Sequence, residues 1–74
     1  MQKKMMWLYA VLHERLRHDK DPWGMIGYNS IQLIVCRLNH ATKEISHKII
    51  RELEELKIIE RMGKNQEGIL YKVN

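Results

Sequence analysis

A chain of 74 residues is one small domain. It buries only about 60% of the surface its unfolded form exposes, which leaves little room for a deep substrate pocket and argues against an enzyme. A net charge of +4 favours polyanionic partners, and a single cysteine excludes an internal disulfide and suits a reducing, cytoplasmic compartment.

Along residues 2–18, Met5, Leu8, Tyr9, Leu12 and Leu16 recur at helical spacing, with Trp7 and Val11 widening the stripe. The apolar run from Met5 to Leu12 is too short for a membrane span and gives way to His13, Glu14 and Arg15, so neither anchor nor signal peptide is expected. Asp21-Pro22 ends this helix, and Gly24 and Gly27 mark turns around a short edge strand at 25–28. Asn29 or Ser30 is the predicted N-cap of a second helix over 31–39. Its Ile31, Leu33, Ile34, Val35, Cys36 and Leu38 run almost all round it, which predicts a largely buried helix.

Residues 39–42 form a tight connection, with Thr42 as the cap of a third helix reaching about Lys57. Ile45, Ile49, Leu53 and Leu56 supply its predicted apolar stripe, with Ile50 beside them. The period then changes. Residues 58–62 and 69–73 read as the strands of a β-hairpin, joined by a polar tip over 63–68. The predicted class is α+β: three helices and a hairpin wing in one domain over 1–74.

Two short helices joined by a tight turn, the second leading directly into a hairpin, make a winged helix-turn-helix. The run Leu53-Glu54-Glu55-Leu56-Lys57-Ile58-Ile59-Glu60-Arg61 resembles the end of the recognition helix and the first wing strand in repressors of the multiple-antibiotic-resistance and arsenic-resistance types. Their pattern is Leu-Glu, two variable residues, Gly-Leu-Ile, one variable residue, Arg. The resemblance covers about residues 30–73, with Tyr71 and Val73 on the returning strand, and implies duplex DNA as partner and transcriptional regulation as role. Two positions depart from it. Lys57 replaces the helix-ending Gly, which predicts a helix that runs on or bends less sharply. Ser46 replaces a buried aliphatic residue, with Ile45 supplying one a position earlier.

Charge within the third helix points the same way independently. Lys43, His47, Lys48 and Arg51 sit in its first half against Glu44 alone, while Glu52, Glu54 and Glu55 occupy the second. Isolated-helix stability favours the reverse order, because the dipole prefers acids first and bases last. A helix entering the major groove N-terminus first gains from this arrangement. Thr42, Lys43, Ser46, His47, Lys48 and Arg51 are therefore the candidate DNA contacts of the helix. Arg61, Lys64, Asn65 and Gln66 are those of the wing.

The apolar surface of the first helix exceeds what one side of a small core needs. Met5, Trp7, Leu8 and Val11 are the candidate contacts of a homodimer, since Trp and Met are favoured at interface cores. The alternative has Trp7 folding back onto the loop at 21–28. Cys36, His40, His13 and His18 lack the paired spacing of a structural zinc site, and no cofactor, small-molecule substrate or catalytic motif is expected. Two rivals to a DNA-binding regulator are a winged helix used for protein interaction and a DNA-architecture or replication accessory protein.

Overall fold

The computed structural model describes the backbone of residues 3–74 and the side chains of residues 7–74. The side chains of Lys3, Lys4, Met5 and Met6 therefore lie outside the described residues, and with Met5 one of the four expected dimer contacts. The elements run α1 (Lys3–Asp19), β1 (Met25–Gly27), α2 (Tyr28–Asn39), α3 (Lys43–Glu55), β2 (Ile59–Asn65) and β3 (Gly68–Val73). β3 is central in an antiparallel sheet of order β1-β3-β2, so the wing hairpin and the short strand before α2 belong to one sheet. This is an α+β winged-helix layout.

One core joins both layers. Tyr9, Leu12 and Leu16 of α1 meet Ile31, Ile34 and Val35 of α2, Ile50 and Leu53 of α3, and Ile26, Ile59, Tyr71 and Val73 of the sheet. Removing these side chains from water is the main stabilising contribution, of about 1.5–3 kcal/mol for each fully buried aliphatic residue.

Asp21 ends α1 as expected of an Asp-Pro pair. Its carboxylate accepts from the backbone N–H groups of Trp23 (2.9 Å) and Met25 (2.8 Å), which turns the chain into β1. α2 begins earlier than its sequence indicates. Gly27, still extended and paired with Leu70, is the cap residue, while the Asn29 side chain crosses to the wing and donates to the Glu67 carbonyl (3.2 Å). Neither Asn29 nor Ser30 caps the helix. Nor is α2 buried all round: Leu33 is 53% exposed and Leu38 40%, so it carries a single core-facing stripe.

The turn into α3 bends through His40, whose left-handed backbone (φ 50°) sends its N–H to the Cys36 carbonyl. Thr42 then caps α3, its side chain accepting from the Ile45 N–H (3.3 Å). The helix is rotated from the stripe that hydropathy predicts. Ser46, Ile50 and Leu53 face inward, whereas Ile45 is 49% exposed and Leu56 41%. Ser46 is small enough to sit where α2 lies against α3. Its hydroxyl is satisfied there, donating to the Lys43 carbonyl (2.6 Å) and accepting from Gln32 Nε2 (3.1 Å).

α3 also stops short of the expected run-on. The N–H of Lys57 bonds the Glu54 carbonyl (3.0 Å) and that of Ile58 the Leu53 carbonyl (3.0 Å), the two bonds of a Schellman ending. Lys57 thus takes the glycine conformation (φ 63°) without being glycine. A side chain in this region costs roughly 1–2 kcal/mol, partly offset by the greater unfolded-state entropy of glycine. Lys57→Gly is accordingly expected to raise stability by about 0.5–1 kcal/mol, read as a thermal midpoint several degrees higher. An unchanged or lower midpoint would contradict this account of the turn.

The hairpin strands are longer than predicted and the tip shorter. Gly63, Lys64 and Asn65 pair with Leu70, Ile69 and Gly68, leaving only Gln66 and Glu67 between the strands, and Met62 is an unpaired bulge residue.

Candidate nucleic-acid interface

The exposed side of α3 follows from its buried one. With about 3.6 residues per turn, burying Ser46, Ile50 and Leu53 turns Lys48, Arg51 and Glu44 outward. Lys43 and His47 then occupy the flank toward Tyr28, and Ile45 the opposite flank. Thr42, Lys43, His47, Lys48 and Arg51 are all exposed. Ser46 is fully buried and committed to α2, so the expectation that it touches DNA is corrected.

The cations differ in freedom. Among the described residues, Lys43, Lys48, Arg51 and Lys64 take part in no ion pair, whereas Arg15, Arg17 and Arg61 do. Arg61 donates through Nη2 to Glu54 Oε1 (3.3 Å), which also accepts from the Tyr71 hydroxyl (2.9 Å). The pairing ties the base of the wing to the end of α3 and leaves the Arg61 side chain 58% exposed. Asn65 shapes the tip, its Oδ1 accepting from the Glu67 N–H (2.9 Å), and its side chain is exposed. Lys64 and Gln66 remain exposed on the wing.

Burial and the Glu54 bond together push the Tyr71 phenol up to about 12 from 10.0. Raised above its unfolded value, this acid favours the neutral form in the folded state. The stability it contributes is therefore whole below pH 10 and lost as pH rises through about 12. Tyr71→Phe is expected to cost about 1 kcal/mol at neutral pH and to flatten this alkaline loss, measured by urea unfolding followed through circular dichroism. Equal losses above pH 10 in variant and parent would rule out Tyr71 as the titrating group.

Tyr28 and Glu54 went unnoticed as site residues in the sequence. Tyr28 opens α2, its hydroxyl bonds His47 Nδ1, and its ring stacks on the imidazole with centroids 5.6 Å apart. It also lies beside Tyr71, at 6.3 Å. Partial burial raises the Tyr28 phenol, Arg51 opposing and Glu54 reinforcing the shift. His47 is thus oriented by α2 rather than hanging free on α3. The only local signal is an aromatic residue at the strand-to-helix junction, and its partner lies nineteen positions on.

At the expected dimer surface, Trp7 is 69% exposed and is not folded back on the following loop. Leu8 and Val11 are half-buried, Leu8 against the core. No described helix is long and apolar enough to cross a membrane. A cleft of about 340 Å³ lies between α1 and α2, lined by Arg15, Ile26, Leu33, Ile34 and Arg37 among others, and holds none of the candidate DNA contacts. No family model, curated protein or solved structure matches the chain.

Proposed function

We propose that this chain binds double-stranded DNA, with the N-terminal half of α3 in the major groove and the β2–β3 wing along the adjacent backbone. In this reading it is a small transcriptional regulator in the cytoplasm with no chemistry of its own. The observation that carries the reading is that three exposed cations in no ion pair among the described residues, Lys43, Lys48 and Arg51, share α3, with Lys64 on the wing, while Lys20, Arg37, Lys57 and Lys72 are equally exposed and unpaired elsewhere in the fold. Acidic Glu52 and Glu55 lie toward the far end of the helix, and Glu54 is occupied by Arg61 and Tyr71. In this reading Lys43, Lys48 and Arg51 neutralise phosphate, and Arg51 can also read guanine through its paired donors. Pairing of two protomers through Trp7, Leu8, Val11 and Met5 belongs to the same proposal, because it would present two α3 helices to half-sites about one helical turn apart.

A duplex titration over a range of salt tests it. Four free cations meeting about four phosphates give log affinity a slope of about −3.6 against log salt, since each neutralised phosphate releases about 0.9 counterion. The stoichiometric end point gives two protomers per site. Absence of duplex binding at low salt favours the protein-interaction role, and an end point of one protomer rejects the dimer.

A further inference from the structure

The rotation of α3 leaves Ile45 with no fold role that its burial explains. It is 49% exposed in the first turn, on the outer flank between Lys43 and Lys48 in sequence, while the inward slot belongs to Ser46. A β-branched residue at an exposed helical position is a poorer helix former than Ala, Lys or Glu. Its χ1 is held almost entirely in one rotamer, however, so it presents a rigid apolar surface at small entropic cost on contact. The turn beneath is itself fixed, since the Ile45 N–H is the group capped by Thr42.

An exposed apolar side chain one turn before Lys48, at the N-terminal end of a groove-entering helix, has one matching feature in the major groove. The C5-methyl of thymine is the apolar group that the base pairs display there, beside hydrogen-bonding edges. We infer that Ile45 is a specificity-determining residue that packs on a thymine methyl. The preferred DNA then carries thymine under the first turn of α3, with the neighbouring phosphates held by Lys43 and Lys48. This inference rests on the DNA-binding reading and names the substrate feature that the same helix selects.

Deoxyuridine lacks the methyl and keeps thymine's hydrogen-bonding edge, so it isolates the contact. A duplex selected by the protein from a random library is compared with the same duplex carrying deoxyuridine at each thymine in turn. The parent protein is expected to bind about fourfold more weakly where the contacted methyl is missing, the effect of withdrawing one methyl-sized group from water. Ile45→Ala should bind both duplexes alike, at about the parent's level on the deoxyuridine duplex, with the salt slope unchanged. Ile45→Val should keep most of the discrimination. Salt-dependent binding by the parent that ignores every deoxyuridine, or discrimination that persists undiminished in Ile45→Ala, overturns the inference and leaves DNA binding intact. Failure of the parent to bind any duplex overturns the underlying reading instead.

Discussion

Replacing Lys43, Lys48 and Arg51 together by alanine is expected to lower duplex affinity by about a hundredfold at physiological salt. The magnitude comes from counterion release. Each lost phosphate contact forfeits about 0.9 counterion, which near 0.15 M salt is roughly a fivefold loss in affinity, and three losses multiply. The slope against log salt should fall from about −3.6 to about −0.9, leaving Lys64 as the remaining contributor. If Arg51 also grips guanine, a further 1–3 kcal/mol (about) disappears at that base pair alone, and single replacements separate the two roles. The fold should persist, because all three side chains are exposed and unpaired among the described residues. Alanine is also the best helix former at such positions. Circular dichroism confirms the fold, and binding is followed by anisotropy of a labelled duplex. Affinity and slope both unchanged in the triple variant would remove the observation on which the functional reading stands.

Element order was legible in the chain because its signals are local: the helical stripe through Leu12 and Leu16, the Asp21-Pro22 stop, the Thr42 cap and the change of period after Leu56. Part of what escaped was set by partners distant in sequence. Ile45 and Leu56 count toward an apolar stripe as fully as Leu53 does, so hydropathy alone placed the buried face about one residue off. Only the Gln32 side chain, fourteen positions from Ser46, shows why a serine belongs inside. Gly63, Lys64 and Asn65 look like a solvated tip, since the backbone pairing that makes them a strand comes from Gly68–Leu70 and leaves their own side chains exposed. Lys57 hides its turn for a local reason, since the Schellman ending rests on two backbone bonds and tolerates a lysine in the glycine conformation at a cost.

The candidate site divided along the same line. Sequence position concentrates cations in the first half of α3, but their availability depends on who else is near. Arg61 and Lys64 read alike in sequence, but Glu54, on another element, pairs with Arg61 and not with Lys64. One carboxylate oxygen, Glu54 Oε1, accepts from both Arg61 and the Tyr71 hydroxyl and so links the wing to α3.

The inward face of α3 can be tested by stability alone, and there the expected effect is large. Leu53 is fully buried, joins α3 to both α2 and the sheet in one core, and its carbonyl receives the Ile58 N–H that closes the helix. Leu53→Ala removes buried methyl groups and leaves a cavity, at a cost of about 2–5 kcal/mol. A domain of this length holds only roughly 4–11 kcal/mol in total, so the variant should be partly unfolded at 37 °C or melt at least about 10 °C lower. Ile45→Ala and Leu56→Ala, at positions 49% and 41% exposed, should each cost less than about 1 kcal/mol. The contrast separates the two possible faces of the helix. Were the stripe centred on Ile45, Ile49, Leu53 and Leu56, all of these replacements would be damaging and Ser46 would tolerate a large side chain. With Ser46 inside, Ser46→Leu should be destabilising through overpacking against α2 and the stranded Gln32 amide. Urea unfolding of the four variants decides it: an Ile45→Ala loss equal to that of Leu53→Ala would turn the helix back, bury Ile45, and withdraw the residue from any contact with DNA.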